Sequence, residues 1–236
     1  MSTGQRIITA ITITLLASAA LGQVGYWPLA EGNTWTYVSD GGQSETLLVT
    51  EQIPIFGHSA WVVDYPESSW NEPLENYWSE GPDGQVYLHG FWRDDQGGWG
   101  YLYEPPVLFV DAPLAVGDTW STTYDTYQLP GEIFDEQRTI TLTAVEFGTY
   151  VVPAGEFEAF GVGYARQAVL ERAGRQYSLT GEALEPGGRD AGHWWSLGVG
   201  RIRYHVTDAL QLESYMIGTV ATEARSWSGI KNLFNE

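Results

Sequence analysis

The sequence of 236 residues contains no cysteine and four histidines. Without cysteine the chain can form no disulfide, carry no thiol nucleophile and attach no lipid through an N-terminal cysteine. No G-x-S-x-G motif marks a serine nucleophile, and the spacing of the histidines matches no zinc-binding pattern. The sequence therefore predicts no catalytic residue, no metal site and no cofactor.

Cationic side chains are also scarce, because 11 Lys and Arg stand against 30 Asp and Glu, for a net charge of −19. Such a surface repels nucleic acid and anionic lipid headgroups, so neither is an expected partner. A surplus of acids promotes solubility. The functional alternative is attraction of cationic partners or of calcium, although no D-x-D-x-D-G loop is present.

Long apolar runs are missing except near the N-terminus. Residues 1–22 combine one arginine, an apolar run over 7–16 and small residues up to Gly22, which predicts a secretory signal peptide. Its cleavage would remove Arg6 and no acid, so the net charge would move by one from −19 to −20. We expect an exported protein, periplasmic or extracellular, with no transmembrane segment after cleavage and no lipid anchor.

Aromatic residues, in contrast, are abundant at 14% of the chain, with 11 Trp and 14 Tyr. Apolar and polar residues alternate in short runs, as at 139–145 and 201–206, and turns rich in Gly and Pro separate these runs. Helical periodicity is nearly absent. The pattern predicts an all-β fold with very little helix, either an antiparallel sandwich or a barrel or half-barrel.

One octapeptide occurs twice, as PLAEGNTW at 28–35 and as PLAVGDTW at 113–120. Similar alternating runs follow each copy in the same order. They lead to YWS at 77–79 in the first half and WWS at 194–196 in the second, each followed by a turn containing Gly. We interpret this order as an internal duplication that produced two similar halves in tandem.

The duplication sets the expected organisation of the chain. The first β repeat covers 23–110 and the second covers 111–225, both within one structural domain, and a tail covers 226–236. In the tail, Ile230, Leu233 and Phe234 would share one face of a short amphipathic turn. Such a turn either docks on a partner or frays.

The octapeptide has a structural role in each repeat. Gly32 and Gly117 allow a turn conformation that other residues adopt only at a cost, and Thr-Trp then begins a strand. The indoles of Trp35 and Trp120 would point inward, so we predict all four residues as structural core positions. An aromatic ligand platform is the alternative role for the two tryptophans.

These motifs resemble those of a group of exported bacterial β proteins. Its marks are the P-L-x-x-G-x-x-W opening, a V-P-A-G-x-F turn, here VPAGEF at 152–157, and an aromatic stretch ending in G-V-G, here WWSLGVG at 194–200. The resemblance implies an exported β fold and transfers no catalytic residues. Many members of the group are lipoproteins, and this chain departs from them in having no cysteine.

Aromatic residues crowd the region 60–103, where they either fill the core or form a ligand platform. The residues that we predict as ligand-binding are Trp70, Trp78, Trp92, Trp99 and Tyr101. We expect His89 and His205, which occupy matching positions in the two halves, to be solvated.

The leading hypothesis is an exported, non-enzymatic β scaffold that binds a small apolar or glycan ligand or an envelope protein. One alternative is a carbohydrate-active hydrolase that uses paired loop carboxylates, such as Asp94 with Asp95 or Asp135 with Glu136. Another is a structural or assembly component of the cell envelope.

The buried role of the repeated tryptophans leads to a first prediction. Replacing Trp35 or Trp120 by Ala should lower the free energy of unfolding by roughly 3–5 kcal/mol, because each change leaves a large cavity. Equilibrium denaturant unfolding measures this loss. A loss below about 1 kcal/mol, typical of a surface substitution, would contradict the buried placement.

Overall fold

The computed structural model describes residues 25–68, 74–94, 97–172, 175–180, 192–205 and 209–218. The predicted signal peptide, Trp70 and the predicted tail turn lie outside these described residues. Within them there is no α-helix. Accordingly, no helix in this part of the chain has the length and apolar character needed to cross a bilayer.

Thirteen strands form the described part of the chain. The first six are β1 (Thr34–Ser39), β2 (Ser44–Ile55), β3 (His58–Ser68), β4 (Leu74–Glu80), β5 (Val86–Arg93) and β6 (Trp99–Val110). The other seven are β7 (Thr119–Leu129), β8 (Ile133–Val152), β9 (Gly155–Arg172), β10 (Arg175–Thr180), β11 (His193–Ser196), β12 (Gly200–His205) and β13 (Ala209–Met216).

The strands close into an antiparallel barrel. Each strand from β1 to β9 pairs with the next, β9 pairs also with β11, and β11, β12, β13 and β1 complete the ring. Twelve strands make up the wall, and β10 pairs with β9 beside it. The predicted all-β antiparallel fold is therefore confirmed, and it is a barrel and not a sandwich.

The two halves of the barrel repeat one order of strands. Strands β1–β6 correspond to β7, β8, β9, β11, β12 and β13, with β10 as an insertion in the second half. The octapeptide turns also match: the Gly32 amide donates to the Val49 carbonyl at 2.8 Å, and the Gly117 amide donates to the Ala144 carbonyl at 2.7 Å. We propose that this symmetry arose by duplication of one six-stranded unit.

Both glycines adopt a left-handed conformation, with φ of 85° at Gly32 and 96° at Gly117, which favours glycine at these positions. The prediction of both as core positions was wrong, because Gly32 is half-buried and Gly117 is exposed, each in a turn before its strand. Trp35 is fully buried and donates its indole N–H to the Val199 carbonyl at 2.6 Å. Trp120 is 8% exposed and donates to the Leu108 carbonyl at 3.0 Å. Each octapeptide thus combines a tight turn with a buried, hydrogen-bonded indole.

A third buried indole, that of Trp27, lies between the two halves. Its ring centroid is 4.8 Å from that of Trp78 on β4 and 5.6 Å from that of Trp195 on β11, with edge-to-face geometry in both pairs. Trp78 and Trp195 are the central residues of the repeated YWS and WWS segments. Trp27 also contacts Trp35 at 5.6 Å, so it joins core residues from both repeats.

The core also holds a buried charge. The guanidinium of Arg201 lies 3.7 Å from the ring centroid of Tyr204, and the Tyr204 hydroxyl donates to the Glu45 carboxylate. The Tyr37 hydroxyl donates to the backbone carbonyl of Arg201 at 2.6 Å. Burial raises the pKa of Glu45, because the charged carboxylate loses its hydration. Tyrosine hydroxyls and rings therefore satisfy charges that would otherwise be costly inside the barrel.

Alternate residues of β3 face opposite sides of the barrel wall. Val63 and Tyr65 belong to the main core, whereas Ala60 and Val62 belong to a second apolar cluster on the outer face. The other buried members of this outer cluster are Ile55, Tyr77 and Leu102. The β2–β3 hairpin thus packs against the outside of the wall, beside the groove described below.

The position of Trp27 leads to a second prediction. The Trp27→Ala variant should unfold with a free energy roughly 3–5 kcal/mol lower than that of the wild type, because it loses edge-to-face contacts with three indoles. Chemical denaturation followed by circular dichroism measures the change. As a control, Leu197→Ala removes a side chain that is 58% exposed and should change stability by about 0.5 kcal/mol or less. Equal effects of the two substitutions would overturn the assigned role of Trp27.

Candidate binding groove

One row of directly paired residues crosses five strands on the outer face of the wall. Asp64 on β3 pairs with Glu75 on β4, and Glu75 pairs with Trp92 on β5. Trp92 pairs in turn with Gly100 on β6, which pairs with Leu129 on β7. Because directly paired residues of antiparallel strands project to the same face, this row aligns two carboxylates, an indole and an apolar side chain.

An open groove with a volume of about 490 Å³ lies along this row and includes its members Glu75, Trp92 and Leu129. The described residues that line it are Glu75, Tyr77, Trp92, Leu129, Pro130, Gly131 and Glu132. Gly100 lies between Trp92 and Leu129 in the row and is buried where β5 and β6 approach each other closely. A Cβ at Gly100 would lie 2.2 Å from the Phe91 carbonyl oxygen, so a larger residue there would force the strands apart.

The indole of Trp92 is held in place from behind. A Cβ built on Gly98 would lie 2.3 Å from Trp92 Cζ2, which shows that the ring packs directly against the backbone of the β5–β6 connection. Gly98 has a φ of 79°, a conformation that itself favours glycine. The half-buried indole is therefore a fixed surface of the groove.

Negative charge concentrates at the β4 side of the groove. Burial raises the pKa of Glu75, and the nearby carboxylates of Asp64, Glu51 and Asp94 raise it further, while a hydrogen bond from Tyr77 lowers it. The Tyr77 hydroxyl donates to Glu75 Oε2 at 3.1 Å. Burial also raises the pKa of Asp64, the direct partner of Glu75 across the strands.

The five predicted ligand-binding residues do not form one site. Of the four that the structure describes, only Trp92 lines the groove. Trp99 and Tyr101 flank Gly100 along β6, so they project to the opposite face, where their ring centroids lie 5.6 and 5.8 Å from that of Phe91. Trp70 lies outside the described residues.

The prediction for Trp78 needs a correction. Its side chain is only 3% exposed and packs between Trp27 and Phe109, with ring centroids 4.8 and 5.4 Å away. The ring is therefore part of the main core and offers no ligand platform. It occupies the inward position of β4, whereas the neighbouring Tyr77 occupies the outward one.

Neither Glu75 nor Glu132 was predicted as a site residue from the sequence. Glu75 and Tyr77 are two residues apart on β4, and this spacing alone places them on one face. However, the pairing of Glu75 with Trp92 depends on the register of β4 and β5, which sequence spacing does not give. Likewise, Glu132 lines the groove because of the position of the β7–β8 turn, which sequence spacing does not give either.

His89 also differs from expectation. It is only 1% exposed instead of solvated, and its Nε2 lies 2.8 Å from the Ser79 Oγ. Burial, assisted by the nearby His58 ring, lowers the pKa of His89 from 6.5 to about 4. The side chain of His205 lies outside the described residues. Among the described residues, no three His, Asp or Glu side chains come together as metal ligands.

No family model matches the chain, and no curated protein matches it. Two solved structures resemble it over 82% of its length. One is a protein classed as a lipoprotein from Parabacteroides distasonis, with a TM-score of 0.40, 13% identity and 99% of that chain covered. The other is a protein classed as exported, with a YmcC-like fold, from Bacteroides fragilis, with a TM-score of 0.45, 15% identity and full coverage of that chain. Neither likeness carries an argument about function.

The buried histidine leads to a third prediction. Because the pKa of His89 is lower in the folded chain, the unfolded chain takes up a proton first as the pH falls. The stability that neutral His89 contributes should be present above about pH 6.5 and be lost as the pH falls toward 4, by up to about 3 kcal/mol. Urea unfolding of the wild type and of His89→Gln across this range measures it.

The histidine comparison has an internal control in His58, which is exposed. The His58→Gln variant should keep most of the pH dependence of the wild type. The difference in unfolding free energy between wild type and His89→Gln should shrink as the pH falls from 6.5 to 4. A constant difference would show that His89 titrates equally in the folded and unfolded chains.

Proposed function

We propose that this chain is an exported, non-enzymatic binding protein that takes a glycan in the outer groove. The observation that carries the proposal is the direct pairing of Trp92 with Glu75 inside a groove of about 490 Å³. The rigid indole provides a stacking surface for a sugar ring. The carboxylates of Glu75 and Glu132 provide hydrogen-bond acceptors for sugar hydroxyls.

The chemistry of a sugar suits this combination of side chains. A pyranose has an apolar face of C–H groups and a polar edge of hydroxyls, so it needs a flat apolar surface and fixed acceptors at its rim. Trp92 supplies the first, and Glu75, which Tyr77 orients by a hydrogen bond of 3.1 Å, supplies the second. Three of these side chains lie on paired strands, which hold their geometry more firmly than loops do.

The exported location is part of the proposal. The predicted signal peptide over 1–22 would deliver the chain to a compartment where glycans of the cell surface or of the surroundings are accessible. The chain carries no cysteine for a lipid anchor, which supports a protein free in that compartment.

A second candidate function is glycoside hydrolysis at the same groove. Two carboxylates line it, and burial raises the pKa of Glu75, as is required of a general acid. In this reading Glu75 would protonate the leaving oxygen and Glu132 would act as the second carboxylate. We favour binding, because Glu132 is an exposed residue at the tip of a turn, where its carboxylate remains solvated.

The binding proposal leads to a fourth prediction. Isothermal titration calorimetry with a panel of soluble oligosaccharides should identify at least one that binds the wild type. Trp92→Ala should weaken that binding at least tenfold, because the stacking surface is lost. The matched control is Trp99→Ala, which removes an indole from the opposite face of the same sheet region and should leave the affinity within about twofold of the wild type.

A reducing-end assay with the same oligosaccharides separates the alternatives. Release of reducing ends from a bound oligosaccharide by the wild type, abolished in Glu75→Gln, would support the hydrolase and contradict a purely binding role. Failure of every oligosaccharide in the panel to bind would contradict the glycan proposal. It would leave an apolar ligand, an envelope protein or a structural role, for which the exposed Ile133 and Phe134 beside the groove would be the next surface to test.

A further inference from the structure

We infer that the groove selects a ligand bearing a positive charge, so that its preferred glycan is an amino sugar with a cationic nitrogen. This inference rests on the proposed glycan function and names the class of glycan. It follows from three observations: a pair of like charges across β3 and β4 at the edge of the groove, a groove lining with two carboxylates and no cation, and the indole of Trp92 on the same face.

Asp64 and Glu75 are directly opposite each other on adjacent strands. Like charges in this position destabilise a sheet, and the sheet could avoid the cost with a neutral residue at either site. Both side chains are half-buried, which strengthens their repulsion relative to that in bulk water. Glu51 lies close enough to interact electrostatically with both of them.

The described residues that line the groove include two carboxylates and no lysine or arginine. The nearest arginine along β5, Arg93, projects to the opposite face, where its guanidinium lies 5.4 Å from the ring centroid of Trp99. The negative charge at Glu75, Asp64 and Glu132 is therefore not balanced from within the groove lining. A cation placed there would relieve the repulsion.

Trp92 determines the chemical type of that cation. The face of an indole attracts ammonium groups, and the attraction increases where water is partly excluded. Trp92 pairs with Glu75 across the strands, so the indole and this carboxylate lie on the same face of the groove, where one ammonium ligand could be attracted by both. Rings combined with acids in this way bind organic ammonium ions, whereas metal ions require converging oxygen ligands.

The test uses two ligands that differ in the charge on nitrogen. One is an N-acetylglucosamine oligosaccharide, and the other is an N,N,N-trimethylglucosamine oligosaccharide of the same length, whose charge does not depend on pH. Isothermal titration of the full chain at about pH 7.5 and low salt should give a Kd at least tenfold lower for the trimethylated ligand. Raising the ionic strength should reduce this ratio, because salt screens the attraction.

Two variants test whether the selectivity for the charged ligand arises in the groove. Glu132→Gln removes one charge at an exposed turn and should reduce the ratio of the two affinities at least threefold without loss of folding. Glu158→Gln removes the same charge from an exposed position on β9 and should leave the ratio unchanged. Circular dichroism spectra that match the wild type establish that both variants fold.

The outcomes distinguish this inference from the function on which it rests. Equal Kd values for the two ligands would overturn the selection for charge and leave the glycan groove in place. Absence of binding by both ligands, together with absence of binding across the oligosaccharide panel, would overturn the proposed function itself. A ratio that is high but unaffected by Glu132→Gln and by Trp92→Ala would place the cation elsewhere on the acidic surface and would also overturn the inference.

Discussion

The contact of Trp27 with Trp78 and Trp195 is the interaction on which the barrel depends. A ring of twelve strands encloses a wide interior, and six strands from one repeat cannot enclose it alone. Trp27 precedes the first octapeptide and inserts its indole between core residues of both repeats. The corresponding residue before the second octapeptide is Ala112, so one large side chain serves both halves. This asymmetry allows two similar units to share one core.

The closed wall determines which residues face the interior and which face the outer groove. Inside, tyrosine rings and hydroxyls surround Arg201 and accommodate its charge. Outside, the β2–β3 hairpin packs on the wall through Ile55 and Val62, and the row of residues beside it carries Asp64, Glu75 and Trp92. The strands fix the register of this row, so the relative positions of Glu75 and Trp92 follow from the fold. The same alternation of side chains therefore produces the core and the outer groove.

The strands were more predictable from the sequence than the candidate site was. Alternating patterns identify strands because a strand with one buried face has an apolar residue at every second position. The alternating runs at 139–145 and 201–206 lie in β8 and β12, as this pattern predicts. The closure of the barrel was not predictable from the sequence, because the pairing of β13 with β1 joins residues far apart in the chain. Trp27 was not predicted as a core residue for the same reason, because its neighbours in the sequence do not indicate whether its indole is buried or exposed.

The site was only partly predictable. Trp92 was identified from the crowding of aromatic residues, but the same reasoning also selected Trp78, because composition does not distinguish inward from outward positions. That distinction depends on the face of the wall to which each residue points, which follows from register and bulges. Glu75 became recognisable as a site residue only once β4 and β5 were paired.

The central claim, that two repeats share one core and fold as one unit, is tested most directly by native-state hydrogen exchange on the intact chain. The amides of Val49 and Ala144 occupy equivalent positions, each donating at 2.9 Å to an octapeptide carbonyl. If the halves unfold together, increasing denaturant will merge the free energies of exchange of the two amides into one global value. Exchange of one amide at low denaturant while the other stays protected would show two independent units and contradict the claim.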